Sequence, residues 1–540
     1  MVHSWVASGA GTIFLDAFAG RSVMTTSRRD VLLQGAVIGA GVIAANMTGM
    51  EAWAQRGPAA PKLRRSLHGM ALNDPILQTW RDGVRLLKAA SGNVSWAGFA
   101  AIHGDDSGFK LCPHGNWYFL PWHRAYILMY ERAVRQLTGN NDFALPYWDW
   151  TLDRQMPQAF TDQTFNGQPN PLFEQQRDAT PTDSLPDSVV GQAVINQILT
   201  QAPFETFGTS RPIRPRRQNN LDQSWINCEF CGDGGTLEDN PHNNVHNFVG
   251  GIMAGAGSSR DPIFMMHHCN IDRIWWLWTQ GGGPDSPDPL WRGMTIENNF
   301  FNPDGTSYSP KVSDLETPEP LGYTYVEVPI ATAALTGQSA AIATRSNTFT
   351  GLWATPTGAT RPAGIASYSA SVTQAAATVA KYLEIPVDVD AAALAPVAAR
   401  PSLPSGFETL SLAAARQHYL NGPRCFAFLR DFDVGLNTNT EYRVFLNCDY
   451  LSASTPTTDR HYVGSFGFFG AHGGHAHGGG EPKKPSIGVD LTTAISRVYG
   501  PSATAPGKLR VQIQPVALRA GGNADGSAKP ASVEVAIVSA

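Results

Sequence analysis

Two groups of histidines are the candidate metal ligands of this sequence. The first group is His103, His114 and His123, and the second group is His242, His246 and His268. Imidazole nitrogen suits copper, zinc, iron and nickel rather than magnesium or calcium. Neither group contains a carboxylate, which disfavours a non-haem diiron site, whereas three imidazoles with an open position also fit catalytic zinc. The residue types therefore indicate two three-nitrogen sites, with the metal still open.

Helical spacing explains how the histidines of a group would converge. His242 and His246 are four residues apart, so a helix places both imidazoles on one face. His123 and His268 lie in patterns that are otherwise apolar and aromatic. A single histidine on an apolar helix is more often a hydrogen-bonded core residue than a ligand, so the prediction depends on the whole set. Adjacent helical residues point about 100° apart, and only one of His267 and His268 should face a metal.

The elements that would carry these ligands are predicted mainly as helices. Apolar residues at helical spacing predict helices over residues 73–89, 122–137, 241–249 and 268–278. Residues 153–220 are rich in Pro, Gln and Asn and are expected to be mostly loop. Two histidine triads in one helical domain favour a bundle core that holds a facing pair of metals.

The segments that flank the histidines resemble those of the type-3 dicopper family, which includes tyrosinases, polyphenol oxidases, catechol oxidases and haemocyanins. The resemblance lies in Trp122-His123-Arg124 with Tyr126 and Glu131, in residues 145–150 (LPYWDW), 238–246 (EDNPHNNVH) and 261–264 (DPIF), in His267-His268, Asp272-Arg273 and Trp275, and in residues 321–325 (LGYTY). It covers residues 62 to about 326.

The resemblance implies a role for each matching position. The first group would bind one copper ion and the second group another, with O2 as the cosubstrate. In the double histidine the later residue would be the ligand, which leaves His267 beside the metal ligands rather than on the metal. Asp272 would either fix the tautomer of a ligand imidazole or have a structural role. Cys112 lies two residues before His114, as in relatives where such a cysteine forms a thioether with that histidine; a buried thiol is the alternative.

The activity implied is copper-dependent oxidation of phenols by O2, through a peroxide that bridges the two ions. Monophenols, with tyrosine among the candidates, would be hydroxylated at the ortho position, and o-diphenols would be oxidised to o-quinones. Glu238 and Asn243 would hold a water that accepts the phenolic proton, although a carboxylate near a helix N-terminus is also favoured by the helix dipole. Gly255 would leave the mouth of the pocket open, and Phe264 would pack beside the substrate or serve as a core aromatic.

Three other functions fit parts of the same pattern. A catechol oxidase would lack the hydroxylation step, and a haemocyanin-like O2 carrier would have the same metal site behind a blocked mouth. A zinc hydrolase would use the imidazoles without redox chemistry. Gly255, Glu238 and Asn243 favour the phenol-oxidising enzyme over the carrier.

The N-terminus predicts an export signal. Arg28 and Arg29 precede an apolar run over residues 37–45, and residues 52–54 (AWA) form a small-x-small cleavage site. Residues 1–54 are therefore expected to direct the chain through the twin-arginine route to the periplasm or the medium, with an N-terminal anchor as the alternative. Met24 is a natural start, so residues 1–23 are expected to be an extension of the gene model.

Net charge and hydropathy limit the partners. A formal net charge of -5 gives no electrostatic case for nucleic acid or an anionic membrane surface. No other segment is apolar enough to span a membrane. Small phenols and catechols are the expected partners, together with the export machinery, and a homo-oligomer is left open.

The expected fold is mainly α: an antiparallel four-helix-bundle dicopper core with long loops over residues 62–326, then a C-terminal β-sandwich-like domain. Residues 327–405 are expected to be a linker or wrapping segment with a short helix over residues 374–383. The β domain is expected over residues 406–540, with strands over residues 442–446, 462–469 and 509–516. Residues 431–434 (DFDV) and 462–466 (YVGSF) resemble the C-terminal domain of plant polyphenol oxidases, which implies a lid over the site.

Two further sets of residues have no assigned role. Cys228, Cys231, Cys425 and Cys448 could form disulfides in an oxidising compartment, but their pairing cannot be derived from sequence. His472, His475 and His477 lie in a segment of mostly Gly and His that is expected to be a surface loop, with transient copper binding as the alternative.

Overall fold

The computed structural model describes residues 60–201, 203–211, 232–325, 352, 361, 363–401, 416, 418–434, 438–470, 484–501 and 504–539. The expectations for the export signal, Cys228, Cys231, His472, His475 and His477 lie outside these residues. Among the described residues, no helix is long and apolar enough to cross a membrane.

The described residues between 60 and 325 form a helical domain. Its helices are α1 (Pro75–Ala89), α2 (Trp96–His103), α3 (Phe119–Thr138), α4 (Gln158–Thr161), α5 (Asp187–Val190), α6 (Gln192–Thr200), α7 (Phe204–Phe207), α8 (Asn243–Val249), α9 (Ile263–Gln280) and α10 (Pro289–Gly293). Its short strands are β1 (Lys62–Arg64), β2 (Gly104–Asp105), β3 (Gly108–Phe109), β4 (Thr164–Phe165), β5 (Gln168–Pro169), β6 (Phe300–Phe301), β7 (Ser307–Tyr308) and β8 (Tyr323–Tyr325).

Helices α1, α3 and α9 pack together at the centre of this domain. Helix α1 begins where the Asp74 carboxylate accepts a hydrogen bond from the Ile76 amide and Pro75 occupies the first turn. Helix α3 ends at Gly139, whose φ of 71° is a left-handed conformation that favours glycine. Most residues of α3 and α9 are buried on all faces, as expected of helices at the middle of a core.

A buried ionic network fixes these helices to the first and last strands of the domain. Strand β1 pairs in parallel with β8. Arg64 of β1 contacts the carboxylates of Glu131 and Asp272, with N–O distances of 2.9 and 3.2 Å. Arg124 also pairs with Asp272, which accepts a hydrogen bond from the Tyr323 hydroxyl. Each buried charge therefore has an opposite charge within contact, which offsets the cost of removing it from water.

The C-terminal part is built from two antiparallel four-stranded sheets, with strand orders β10-β15-β12-β13 and β14-β11-β16-β9. The strands are β9 (Ile365–Ser371), β10 (Leu383–Asp388), β11 (Arg424–Arg430), β12 (Thr440–Leu446), β13 (Tyr462–Phe466), β14 (Ile487–Asp490), β15 (Lys508–Ala517) and β16 (Ser532–Val538). Helices α11 (Ala391–Ala398) and α12 (Thr492–Tyr499) accompany them. Apolar side chains of both sheets form one core, so the expected sandwich-like domain is confirmed.

The structure differs from the sequence-based expectations in several segments. Residues 374–383 do not form the expected helix; Thr378 and Lys381 form an isolated bridge instead, and β10 begins at Leu383. Strands β9 and β10 lie within residues 327–405, so part of the expected linker belongs to the two sheets. The described part of the region expected to be mostly loop is indeed mostly irregular, but it also contains the short helices α4 to α7. These elements are four to nine residues long, too short for a clear periodic signal.

Candidate metal centre

The first histidine group comes from three separate elements. His103 is the last residue of α2, His114 lies in the loop before α3, and His123 lies in the first turns of α3. The His103 Nδ1 lies 2.7 Å from the Ala256 carbonyl oxygen. The His123 Nδ1 lies 2.8 Å from the Phe119 carbonyl oxygen. An Nδ1–H donated to a carbonyl fixes the tautomer and leaves Nε2 as a lone-pair donor.

The second group comes from α9 and from the chain that leads into α8. His242 ends an irregular turn over Glu238–His242, and His246 lies one helical turn further along α8. The His246 Nδ1 lies 2.7 Å from the Met253 carbonyl oxygen, and the His242 Nδ1 lies 2.9 Å from Asn243 Oδ1. His268 projects from α9, with its Nε2 3.2 Å from His246 Nε2. Two ligands of one ion at ~2.0 Å lie about this far apart in a tetrahedral site.

The two groups face each other inside the helical domain. The His123 and His268 rings stack with centroids 4.3 Å apart, and the His114 and His242 centroids are 5.8 Å apart. Within each group, one candidate donor atom from every residue lies within 4.8 Å of the others. His103 Nε2 and His242 Nε2 are buried and have no hydrogen-bond partner among the described residues. A buried imidazole nitrogen without a partner is costly unless it binds something.

Burial keeps these imidazoles uncharged. It lowers the pKa of His103 to about 4 and that of His242 to about 3. Burial and neighbouring imidazoles hold the pKa of His114, His123, His246 and His268 well below the ordinary value. Metal ligation requires the neutral form. The donor set, its neutrality and the two unpartnered Nε2 atoms therefore fit two metal ions, each with three imidazoles.

Cys112 and His267 lie among the candidate ligands. Cys112 Sγ is 4.0 Å from His114 Nε2, the expected thioether partner, and 3.3 Å from His123 Nε2. His267, which was not expected to bind the metal itself, has a donor atom inside the second group, and its ring stacks on His242 with centroids 5.3 Å apart. Sequence spacing alone does not separate it from His268.

The sequence left two roles open for Asp272, fixing the tautomer of a ligand imidazole or supporting the structure. Its carboxylate contacts Arg64, Arg124 and Tyr323, which is the structural role. Backbone carbonyls fix the tautomers of His103, His123 and His246. Asp272 therefore supports α9 through the ionic network.

Glu238 and Asn243 line one small cavity together with His114 and Phe469. Glu238 accepts hydrogen bonds from the Gly115 amide (2.8 Å) and from the Thr209 hydroxyl. Burial raises the pKa of the Glu238 carboxyl to about 8, although both hydrogen bonds favour the carboxylate. The structure thus brings the two expected proton-handling residues to one cavity beside a candidate ligand. It also adds Thr209, which no sequence motif pointed to.

The structure places Phe264 against the histidine groups. Phe264 is buried, and its ring contacts both groups, with centroids 5.0 Å from His103 and 4.1 Å from His268. It therefore packs against a candidate ligand of each group. A Cβ atom added to Gly255 would meet no atom within 4 Å. The open pocket mouth expected at Gly255 stays a prediction.

The β domain contributes a residue that the sequence analysis missed. The Phe469 ring stacks on His246 with centroids 4.0 Å apart, and it lies 5.1 Å from His114 and 5.5 Å from His242. Its side chain packs with the core of the helical domain rather than with that of the two sheets. The available signal was the run Phe466-Gly467-Phe468-Phe469, which places two adjacent aromatic residues at the end of an expected strand.

Two amide side chains of α8 hold this segment. Asn243 Nδ2 donates to the Gly467 carbonyl (2.9 Å), and Asn247 Nδ2 donates to the Phe468 carbonyl (2.7 Å). The Gly467 amide in turn donates to the Asp239 carbonyl (3.0 Å). Residues Gly467–Phe469 are called the plug below.

Comparisons with known proteins agree with this arrangement. Residues 93–281 match the model of the common central domain of tyrosinase. A tyrosinase of Hahella sp. (strain CCB-MM4) is 30% identical over 292 residues, which are 48% of this chain and 54% of that protein. The chloroplastic polyphenol oxidase of Malus domestica is 29% identical over 311 residues, which are 51% of this chain and 50% of that protein. The chain spans about half the length of these curated relatives.

The fold likeness extends further than the sequence likeness. The solved structure of latent apple tyrosinase aligns with a TM-score of 0.59 at 20% identity and covers 90% of this chain and 98% of that one. A solved structure of latent aurone synthase aligns with a TM-score of 0.55 at 18% identity and covers 90% of this chain and 92% of that one. Both alignments include the helical domain and the two-sheet domain.

Fold and site together define a class of protein with a helical core and two facing three-histidine metal sites. Within that class, residues 93–281 carry the common central domain of tyrosinase, and about half of the chain is similar in sequence to tyrosinases and polyphenol oxidases.

Proposed function

We propose that the protein oxidises phenols with O2, by ortho-hydroxylation of monophenols and by oxidation of o-diphenols to o-quinones. The observation that carries the proposal is the facing pair of buried, neutral three-imidazole groups. His103, His114 and His123 would hold one copper ion, and His242, His246 and His268 the other. A bound copper pair supplies the electron transfer between the phenol and O2.

The residues around the ligands would orient the reaction and manage its protons. The carbonyls of Ala256, Phe119 and Met253 hold three imidazoles with Nε2 directed inward. A phenol is mostly protonated at neutral pH, because its pKa is near 10. Glu238 and Asn243 share a cavity beside His114, where a water bound between them could accept the phenolic proton. This pair favours monophenol hydroxylation over catechol oxidation alone.

The β domain would keep the enzyme latent. Phe469 occupies the space beside His246 and His114 that a phenol ring needs, and Asn243 is bonded to the plug. A closed plug would also suit a haemocyanin-like O2 carrier, because O2 is small enough to reach a site from which a phenol is excluded. Phenol oxidation after displacement of the plug separates the two functions.

The test uses the full chain loaded with copper and, as a matched control, the same chain loaded with zinc. We expect two copper ions per chain, and quinone formation from a catechol and from a monophenol once the plug is displaced. The zinc-loaded chain should form no quinone. Binding of a single ion, or O2 uptake without oxidation of either phenol after displacement, would contradict the proposal. Oxidation of the catechol alone would reduce it to catechol oxidase activity.

Export through the twin-arginine route is proposed on the sequence of residues 28–54 alone. Replacement of Arg28 and Arg29 by lysine should leave the protein in the cytoplasm of a host with that route. Unchanged export of the variant would exclude it.

A further inference from the structure

The six candidate copper ligands are buried, so an ion has to pass other groups to reach them. None of the six histidines is more than 3% exposed. Among them, only His114 lines the small cavity that also contains Glu238 and Asn243. The wall of this cavity includes Ser486, which is partly exposed. The cavity therefore extends from one ligand of the first group toward the protein surface at Ser486.

Asp239 also lines this cavity, and its carboxylate has no bonding partner. The residue is only 7% exposed, and its carboxylate oxygens form no hydrogen bond or ion pair with the described residues. Its backbone alone is bonded, with the amide donating to the Gly235 carbonyl and the carbonyl accepting from the Gly467 amide. A buried carboxylate without a partner is costly unless it takes up a proton or binds a cation.

Glu238 provides a contrast within the same cavity, because both of its carboxylate oxygens are engaged. Oε1 accepts a hydrogen bond from the Gly115 amide (2.8 Å), and Oε2 accepts one from the Thr209 hydroxyl. A metal ion at Glu238 would have to replace one of these bonds. Of the two neighbouring carboxylates, that of Asp239 is therefore the one available to an ion.

The position of the Asp239 carboxylate depends on Gly234. A Cβ atom at Gly234 would overlap both oxygens of that carboxylate. The Gly234 amide donates to the Ser486 carbonyl (3.0 Å), which fixes the glycine to the β domain. A side chain at position 234 would therefore displace the carboxylate from its place in the cavity wall.

The His114 imidazole is held less firmly than the other two of its group. The Nδ1 atoms of His103 and His123 lie 2.7 and 2.8 Å from backbone carbonyl oxygens. His114 lies in the loop before α3, and its Nδ1 has no hydrogen-bond partner among the described residues. Such partners fix the orientation of a ligand ring. The His114 ring is therefore the one of its group that can turn most easily between two positions.

The charges around the cavity favour a cation beside Asp239. Burial, together with the carboxyl groups of Glu238 and Asp233, raises the pKa of the Asp239 carboxyl well above its ordinary value. A positive ion would favour the charged form of this carboxyl and offset the repulsion from its neighbours. Oxygen and nitrogen ligands together suit Cu(II).

We propose that Asp239 and His114 form an entry site for Cu(II), from which the ion passes inward to His103 and His123. The inference rests on the copper pair of the proposed function and adds a residue that binds the metal only while the centre is being loaded. No electron is transferred in this step; the ion exchanges the Asp239 carboxylate for imidazole nitrogens. Because the cavity is present with the plug in place, the full-length chain can be loaded while it is latent.

The test measures copper movement and not enzyme activity. Full-length chain freed of metal is mixed with Cu(II), samples are quenched with a chelator at successive times, and copper per chain is measured. Asp239→Asn should reach the same final content of two ions. It should slow uptake by about tenfold, the lower limit of what loss of a residue beside a metal site costs in metal affinity. Chelator-driven loss from the loaded chain should slow by the same factor, because an entry site lowers the barrier in both directions. A merely structural role would speed up that loss.

Two further variants separate a ligand from a negative charge. Glu238→Gln removes a charge from the same cavity but no available oxygen, and it should take up copper at nearly the rate of the parent chain. Gly234→Ala keeps every charge and displaces the Asp239 carboxylate, and it should slow uptake as Asp239→Asn does. Thermal unfolding of each variant shows that the fold is retained.

The outcomes distinguish this inference from the proposed function. A parent chain that binds no copper pair would contradict the proposed function. A parent chain that binds two ions, together with an Asp239→Asn variant that takes up and loses them at the parent rates, would overturn the entry site alone. Equal slowing by Glu238→Gln and Asp239→Asn would also overturn it, since the cavity would then attract copper by its charge and not through a ligand at Asp239.

Discussion

The two histidine groups have the same donor chemistry and differ in what supports them. In the first group, His103 and His123 are fixed by the carbonyls of Ala256 and Phe119, which belong to the helical domain. In the second group, His242 is fixed by Asn243, which also donates to the Gly467 carbonyl of the β domain.

The β domain also contacts the helix that carries the second group. Asn247 of α8 binds the Phe468 carbonyl, and Arg519 donates to the carbonyls of Asn247 and Phe248 at 2.7 and 2.8 Å. Displacement of the β domain would therefore change the surroundings of His242 and His246 directly. A domain that closes over the metal centre, such as the β domain, can therefore act mainly on one of two similar metal sites.

The largest effect is expected from loss of a ligand in either group. His103→Ala and His268→Ala should each lower the metal content from two ions to one, because separate contacts position the two groups. Phenol oxidation should fall by more than the roughly 10–100-fold that loss of an outer-shell partner costs. Metal analysis of the purified variants measures the first effect, and quinone formation the second.

Loss of both ions from either variant would contradict the separate support of the two histidine groups, since the groups would then form one cooperative site. Trp150→Phe provides a control, because it changes a ring that lies against His267 and removes no candidate ligand. That variant should retain both ions.

Removal of the plug ring should have the next largest effect. Truncation of a buried Phe costs ~3–5 kcal/mol, and Phe469 contributes its contacts only while the β domain is closed over the site. Phe469→Ala should therefore raise the oxidation of a small catechol by the latent protein by roughly a hundred- to a few-thousand-fold, since each 1.4 kcal/mol is about tenfold. Initial rates of quinone formation measure it.

The matched variant is Phe468→Ala, which truncates a ring within the β-domain core. It should lower the thermal unfolding temperature of that domain more than Phe469→Ala does, and it should activate less. Equal activation by the two variants would mean that β-domain stability, and not the ring beside His246, limits access.

An added methyl group on the plug should have an intermediate effect. The Cβ of Gly467→Ala would overlap Asn244 Oδ1, and overpacking of this kind costs ~1–3 kcal/mol. We expect the variant to be activated without any ligand being changed, by less than Phe469→Ala. Gly464→Ala is the control, because a Cβ there would meet no atom within 4 Å. Activation of the control to the same level would exclude a specific clash at Gly467.

Sequence patterns predicted the helical core because its long elements carry a strong periodic signal. Helix α3 extends over 20 residues and α9 over 18, and both overlap the expected helices. The flanking motifs identified the six histidines, which the structure brings into two facing groups. The prediction of a helix at residues 374–383 was wrong. The alanine-rich composition of this segment gives it a high intrinsic helix propensity, but contacts within the β domain override that propensity.

The closed site could not be predicted because it depends on contacts between residues far apart in the chain. Asn243 and Gly467 are 224 positions apart, and no local pattern links them. The same is true of Thr209, whose hydroxyl reaches Glu238 from a separate segment. The two-sheet domain was correctly expected from alternating residues, but its start was not, because β9 and β10 join the sheets from a segment of linker-like composition.

The smallest effect is expected from loss of one hydrogen bond that holds the plug. Asn247→Ala removes the donor to the Phe468 carbonyl, and a net hydrogen bond is worth ~0.5–1.5 kcal/mol. The latent activity should therefore rise only about two- to tenfold. Asn170→Ala is a suitable control, because it also removes a buried amide that donates to two carbonyls, Ala159 and Asp162, within the helical domain. It should lower the unfolding temperature without activation. The effect on each metal site can be measured from copper spectra of chains that combine Asn247→Ala with His268→Ala, which leaves the first site, or with His103→Ala, which leaves the second. Equal spectral changes at the two sites would mean that the two histidine groups do not have separate support, which would contradict the asymmetry argued from α8.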